Sequence, residues 1–180
     1  MLCGSKHPVD VSIGVRLRPG VVGSVLGVSS PSLRGQNIPL HLCSPRIPPL
    51  EDPLALEEWV RKWPARQIQD QRSLTWISKL LSDPDTSILT LALGSGLSYR
   101  QMLRLFYAAV GLTPKEFARL RKIRLACIRS IASDAGWADI SAEYGFADQS
   151  HLTREFSQVL GWTPRPMQEY LRRIEHRLLR

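Results

Sequence analysis

Cysteine and long apolar segments are scarce in this sequence of 180 residues. The three cysteines, Cys3, Cys43 and Cys127, lie far apart and form no CxxC pair. They predict neither a closed set of disulfides nor a zinc site of clustered thiolates. No apolar run approaches the ~20 residues that a membrane-spanning helix needs, and the first residues lack the features of a secretory signal. We therefore expect a cytoplasmic protein with no membrane partner.

Acidic residues are also few relative to basic ones. The chain has 16 Asp and Glu against 24 Lys and Arg, a formal net charge of +8. The imbalance is strongest between residues 98 and 130, where Glu116 is the only acid. The basic residues of this stretch are Arg100, Arg104, Lys115, Arg119, Arg121, Lys122, Arg124 and Arg129. Such a surplus points to a polyanionic partner, although it also serves plain solubility.

The first 50 residues differ from the rest of the chain. Residues 9–18 alternate apolar and other side chains, which is the period of a half-buried β-strand, and Pro19-Gly20 ends the pattern with a turn signal. A lone strand leaves its backbone groups unpaired. Residues 1–50 are therefore expected to be a short β or irregular remnant of an N-terminal domain. A poorly ordered arm with an accidental pattern is the alternative.

The rest of the chain has a helical pattern and an internal repeat. Residues 51–72 predict a linker and the start of a helix, and residues 73–180 predict a mainly α domain. Residues 98–114 and 148–164 are related at a spacing of 50. The aligned pairs are Ser98/Asp148, Met102/Leu152, Arg104/Arg154, Phe106/Phe156, Gly111/Gly161, Thr113/Thr163 and Pro114/Pro164. Five of these seven pairs are identical, so the repeat is the main organising feature of the sequence.

Each copy of the repeat predicts a helix-turn-helix unit. A short helix and a glycine turn precede a longer helix, over 99–110 in the first copy and 149–160 in the second. Gly111 and Gly161 are suited to the left-handed conformation that ends a helix. The expected helix caps, which are also candidate phosphate contacts, are Ser98, Thr113, Asp148 and Thr163. The predicted fold is a seven-helix bundle in which a long helix, from about 114 to 131, links the two units.

The second copy carries a more specific resemblance. The stretch DISAEYGFADQSHLTREF at 139–156, followed by GWTP at 161–164, resembles the signature of the AraC/XylS family of bacterial transcription regulators. The first copy, from Gly96-Leu97-Ser98 to Pro114 and then Phe117-Ala118-Arg119, is similar to the family's first helix-turn-helix and linker helix. The resemblance covers roughly residues 73–172. Ser141 stands where Ala is usual and Leu152 where Phe is usual.

The resemblance implies a sequence-specific transcription regulator located at the bacterial nucleoid. Its partner would be double-stranded promoter or operator DNA, with RNA polymerase as a second candidate. Family members usually carry a longer N-terminal effector or dimerisation domain, so the chain resembles an N-terminally truncated regulator. No cofactor and no small-molecule effector are expected. The alternative is a remnant or interaction module that has only non-specific affinity for DNA.

The two longer helices of the repeat would read DNA in successive major-groove segments. Arginine pairs with the guanine edge, glutamine pairs with the adenine edge, and an apolar side chain meets the thymine methyl group. The candidate base-reading residues are Arg100, Leu103 and Arg104 in the first helix, and Gln149, Ser150, Thr153 and Arg154 in the second. An ordinary surface role is the competing interpretation of the arginines.

An enzymatic function is not predicted. Some DNA-repair alkyltransferases join a domain of this type to a cysteine methyl acceptor, but they need a cluster of four cysteines. The sequence also has no nucleophile–base constellation, P-loop or dinucleotide fingerprint. His151 has no other histidine or cysteine near it in sequence, so packing or a phosphate contact is expected in place of metal binding.

Overall fold

The computed structural model describes residues 17–26, 28–39, 52, 54–55, 57–58 and 71–178. The elements are α1 (Val22–Leu26), a 3-10 helix (Ser30–Leu33), α2 (Gln71–Ser82), α3 (Ile88–Gly94), α4 (Tyr99–Val110), α5 (Pro114–Ala132), α6 (Trp137–Glu143), α7 (Gln149–Leu160) and α8 (Pro164–Leu178). The mainly helical fold is confirmed, with seven helices between residues 71 and 178. The strand predicted over 9–18 lies outside the described residues apart from Leu17 and Arg18, which are in neither helix nor strand.

Helices α4 and α7 begin and end at the residues that the repeat predicts, because capping signals stand at both ends. The Ser98 hydroxyl accepts from Gln101 N at 3.3 Å, and the Gln101 side chain accepts in return from Ser98 N at 3.0 Å. The Asp148 carboxylate caps α7 by accepting from His151 N at 2.6 Å. Both helices end at a glycine with positive φ, 78° at Gly111 and 70° at Gly161.

The chain forms two compact units, and within the described residues the division falls in α5 after Phe117. In the N-terminal unit α2 and α3 pack against α4. Its buried residues include Trp76, Leu80, Met102 and Phe106. The rings of Phe106 and Phe117 meet edge to face at 5.6 Å. Met102 and Phe106 are fully buried because a spacing of four places them on one side of α4.

The C-terminal unit has one apolar core of its own. Its members are Ile123, Ala126, Trp137, Ile140, Phe146, Leu152, Phe156 and Met167. Leu152 and Phe156 are fully buried, as their counterparts are in the first copy, and Phe156 packs edge to face against Trp137 at 5.6 Å. Side chains of α8 also cap the end of α5. Gln168 donates to Ser130 O at 2.6 Å, and Arg172 donates to the same carbonyl at 3.2 Å.

A segment that precedes the helical domain packs on the N-terminal unit, which the sequence did not predict. The Ser30 hydroxyl donates to Ala109 O, near the end of α4, at 2.9 Å. Arg34 forms an ion pair with Glu116, at the start of α5, at 2.6 Å. Gly111 lies so close to this segment that a Cβ placed on it would be 2.6 Å from Ser30 O. We call residues 28–36 the docked segment.

Substitution of the glycines that end α4 and α7 tests this packing directly. Gly161→Ala should lower the free energy of unfolding by about 1–2 kcal/mol, because alanine is strained in the left-handed conformation. No steric clash adds to this loss, since a Cβ at Gly161 would meet nothing within 4 Å. Gly111→Ala should lower the free energy of unfolding by clearly more than Gly161→Ala does, because a clash with the Ser30 carbonyl adds to the same backbone strain. Urea unfolding followed by circular dichroism measures both losses. Equal losses would mean that the docked segment is not held against Gly111.

Candidate DNA-binding surface

Both helix-turn-helix units close their turns in the same way. Leu97 N donates to Ala92 O at 3.2 Å in the first unit, and Phe146 N donates to Ser141 O at 2.9 Å in the second. The turn glycines, Gly96 and Gly145, have φ of 66° and 70°. The small residues Ala92 and Ser141 are buried, which allows the paired helices of each unit to approach closely. The repeat in sequence is therefore a repeat in structure.

The buried hydroxyl of Ser141, in the second turn, has a hydrogen-bond partner within its own helix. Ser141 stands where the family usually has alanine, and its hydroxyl donates to Ala138 O one turn earlier at 2.7 Å. A buried hydroxyl with a partner avoids most of the cost of losing water. The first turn is braced differently, because Trp76 Nε1 donates to the Ser95 hydroxyl at 2.7 Å, which in turn donates to Leu91 O at 2.8 Å.

The exposed face of α4 carries the residues predicted to read the first DNA segment. Arg100 and Arg104 are exposed, and neither has an ion pair or hydrogen bond to another side chain among the described residues. Leu103 is half-buried between them, and Tyr107 continues the same face one turn further on, with 39% of its surface exposed. The four residues form one stripe because they follow the spacing i, i+3, i+4 and i+7.

The exposed face of α7 is equivalent but more polar. Gln149, Ser150 and Arg154 are exposed, and Arg154 has no ion pair within the part of the chain that the structure describes. Thr153 is half-buried, and its hydroxyl donates to Gln149 O at 2.8 Å. Its remaining capacity is to accept a hydrogen bond or to present its methyl group. The candidate residues of each helix thus share one surface within their own unit.

Comparison with known protein families decides what these units are. The sequence matches the family model of an AraC-type helix-turn-helix domain over residues 91–170, a range that runs from α3 to α8 and contains both turns. The match supports a DNA-binding domain of the AraC/XylS type over residues 91–170. No solved structure matches the chain. Double-stranded DNA is the partner that this domain supports, and transcription regulation is its role.

The basic residues of the AraC-type domain do not all remain available for phosphate. In the C-terminal unit Arg119 pairs with Glu155 and donates to Gln158 at 2.7 Å, so α7 itself neutralises it. Arg129 pairs with Glu143 at 2.9 Å, which raises the pKa of its guanidinium. Counting charges along the sequence could not show these pairs, because the partners of Arg119 are more than thirty residues away.

His151 is a structural residue of the second turn. Its Nδ1 accepts from Ala147 N at 3.2 Å, and its ring meets Phe146 edge to face at 5.7 Å. Nε2 lies 3.8 Å from the Glu155 carboxylate. Across the described ranges no three His, Cys, Asp or Glu side chains come together as a metal site would require. The packing role predicted for His151 matches these contacts.

The caps at the other two predicted positions differ in detail. Thr113 and Glu116 form a reciprocal pair, in which Glu116 N donates to the Thr113 hydroxyl at 3.2 Å and Thr113 N donates to Glu116 at 2.8 Å. These bonds, together with Arg34, lower the pKa of Glu116. Thr163 contributes its backbone carbonyl, which accepts from Met167 N at 3.3 Å. Contact of any cap with phosphate remains a prediction.

Cys127 offers a check on the packing of α5. Burial raises the pKa of its thiol to about 11. Alkylation requires the thiolate. At pH 8 the folded protein should therefore leave Cys127 largely unmodified by iodoacetamide, and its labelling should rise only as pH approaches that value or when urea unfolds the chain. Mass spectrometry of the peptide containing Cys127 measures this. Rapid labelling at pH 8 without urea would contradict the burial.

None of the described helices is both long enough and apolar enough to cross a bilayer. The longest, α5, spans 19 residues but includes six Lys and Arg. It is a connecting helix of the AraC-type domain.

Proposed function

We propose that the chain is a sequence-specific transcription regulator whose two recognition helices, α4 and α7, occupy successive major-groove segments of one operator. One observation carries this proposal: the two copies present equivalent arginines, Arg104 and Arg154, on exposed helix faces that follow capped glycine turns of the same kind. An arginine that is exposed and lacks an acidic partner within its own unit is available for a guanine edge.

The base-reading roles follow from the position of each side chain on its helix. Arg100, Leu103 and Arg104 are assigned to the first DNA segment, and Gln149, Ser150, Thr153 and Arg154 to the second. Arginine makes bidentate bonds to guanine and glutamine makes them to adenine, whereas Leu103 suits a thymine methyl group. The exposed caps Ser98, Asp148, Thr113 and Thr163 are at helix starts, where backbone N–H groups favour phosphate.

The connecting helix supports two contacts by a single chain. A helix of 19 residues, the length of α5, is about 28 Å long at 1.5 Å per residue. One turn of DNA is ~34 Å, so the length of α5 is close to the distance between two adjacent major-groove segments. A DNA partner implies a bacterial cytoplasmic location at the nucleoid, and RNA polymerase is the second partner that we propose. No catalytic role, cofactor or effector enters the proposal.

The test is selection of duplexes from a random library by the purified chain, with sequencing, at two salt concentrations. The proposal predicts a motif with two boxes about one helical turn apart that persists at the higher salt. Binding without a motif that vanishes at moderate salt would overturn it, because phosphate contacts alone account for such behaviour. The chain would then be a remnant with non-specific affinity.

A further inference from the structure

A surface depression of the C-terminal unit lies between the second helix-turn-helix and the last helix of the domain. Residues 134–138, at the start of α6, line one part of it, and Gln149, the first residue of α7, lines another. The remaining wall consists of Arg165, Gln168 and Arg172 from α8. The depression has a volume of about 360 Å³. The first base-reading candidate of α7 therefore shares one concave surface with two arginines of α8.

The two arginines of the depression differ in their partners. Arg172 donates to Ser130 O at 3.2 Å, and its guanidinium lies 3.5 Å from the Asp134 carboxylate. Arg165 is exposed and has neither an ion pair nor a hydrogen bond to another side chain within the described ranges. Asp134 is the acid among the lining residues, and it balances Arg172. The lining is therefore left with one positive charge, that of Arg165.

Arg165 occupies a position where a cation does not stabilise its helix. It is the second residue of α8, which begins at Pro164 and has no acidic residue in its first turn. The N-terminus of a helix carries partial positive charge, so a guanidinium there is disfavoured unless an anion is near. Pro164, which is buried, and Pro166 flank Arg165 and restrict the backbone that carries it. An anion bound from outside the protein would relieve the repulsion at this position.

The depression lies on the part of the second unit that a helix-turn-helix turns toward DNA. The second helix of such a unit enters the major groove with its N-terminal residues, and the first helix crosses the DNA backbone. These parts are here Gln149 and the start of α6, and both line the depression together with Arg165. We propose that Arg165 contacts a backbone phosphate at the edge of the groove that α7 enters. This inference rests on the proposed function, and the contact would position α7 without reading bases.

The first experiment measures binding of the full chain to two labelled duplexes by fluorescence anisotropy over a range of potassium chloride concentrations. One duplex carries the selected boxes and the other has an unrelated sequence. Arg165→Ala should weaken binding to both by about three- to tenfold and should reduce the magnitude of the slope of log K against log salt by about 0.9. Arg165→Lys keeps the charge and should restore most of the slope. An unchanged slope for Arg165→Ala would overturn the proposal.

Arg173→Ala is the matched control. Arg173 is also exposed on α8 and has no ion pair among the residues that the structure describes, but it does not line the depression. We expect no change of slope for this variant, and a decrease equal to that of Arg165→Ala would overturn the proposal, because net charge alone would explain both.

Urea unfolding of the free protein separates a phosphate contact from a structural role. Arg165→Ala should leave the free energy of unfolding unchanged or slightly higher, because it removes a cation from the N-terminus of a helix. A clear decrease would contradict the proposal, since weaker DNA binding would then follow from damage to the fold.

The second experiment locates the contact on the DNA. Each phosphate that borders the box bound by α7 is replaced in turn by a neutral methylphosphonate, and this box is the one in which Arg154→Ala relaxes the sequence preference. At one of these phosphates the replacement should weaken binding of the wild type by about three- to tenfold and leave binding of Arg165→Ala almost unchanged. Equal losses for both proteins at every position would overturn the proposal.

The two proposals fail in different ways. A wild-type chain that binds both duplexes equally overturns sequence-specific function, yet the slope for the unrelated duplex still reports on Arg165. A wild-type chain that prefers the selected duplex, with no effect of Arg165→Ala on the slope, overturns the Arg165 contact alone.

Discussion

Arg104→Ala and Arg154→Ala should each reduce affinity for the selected operator by about ten- to a hundredfold, or about 1.4–2.7 kcal/mol, which lies within the range expected for a lost bidentate base contact. Each side chain is exposed and has no ion pair among the described residues, so its removal should change the stability of the free protein little. Each variant should also relax the sequence preference in one box only. Arg104→Ala affects the box bound by α4, and Arg154→Ala the box bound by α7.

Two comparisons make this result specific. The double variant should lose about as much affinity as the two single variants together, because the two arginines are proposed to read separate boxes. Arg119→Ala serves as a contrasting variant, since Arg119 is held by Glu155 and Gln158 and should not change the preferred sequence. Affinity measured by anisotropy, with selection repeated for each variant, provides the data. If both single variants kept the wild-type sequence preference, the arginines would be surface residues or phosphate contacts.

Phe106→Ala and Phe156→Ala should each strongly destabilise the unit that contains the residue. Both rings are fully buried, and each packs edge to face on a second aromatic ring, Phe117 or Trp137. Truncation of a buried phenylalanine costs about 3–5 kcal/mol, through lost transfer energy and the cavity that remains. Stability of a small domain is about 5–15 kcal/mol, so each change removes a large share of it.

The equivalence of the repeat makes the two variants a matched pair. Urea unfolding followed by circular dichroism should show losses of similar size, since both positions occupy the same place in the repeat and are equally buried. Leu93→Ala is the control for an apolar truncation, because Leu93 is 68% exposed and should lose less than about 0.5 kcal/mol. A loss below 1 kcal/mol for either phenylalanine would contradict the packing described for that unit.

The recognition helices were predictable from sequence because local signals define both of their ends. Ser98 and Asp148 cap the starts, and Gly111 and Gly161 take the left-handed conformation at the ends. These residues act within one helical turn, so their effect does not depend on distant parts of the chain. The apolar spacing of Met102 and Phe106 likewise predicted which side of α4 is buried.

The helical turns before the domain were not predictable in the same way. Residues 22–33 are rich in valine, serine and glycine, which are poor helix formers. Their structure depends on tertiary contacts such as Ser30 with Ala109, whose separation of 79 residues leaves no local trace. The ion pair of Arg34 with Glu116 likewise joins residues that are far apart in the sequence. The sequence therefore indicated the helix faces that we propose to meet DNA, but it did not indicate the docked segment beside α4.

The sequence patterns also could not predict which basic residues form ion pairs. Arg104 and Arg119 both belong to the basic stretch at 98–130, yet only Arg119 is neutralised by an acid, from α7 of its unit. Which arginines stay available depends on how helices pack, and the repeat spacing alone does not contain that information. The repeat nonetheless placed Arg104 and Arg154 at equivalent positions, where the structure shows both exposed.

The most direct test of the central claim is the dependence of affinity on the spacing of the two boxes. The selected operator is compared with one in which about five base pairs, half of a ~10-bp turn, are inserted between the boxes. If one chain contacts both segments through α4 and α7, the insertion places the boxes on opposite faces, and affinity should fall to that of a duplex with a single box. Affinity that is unchanged by the insertion would contradict simultaneous reading by the two helices.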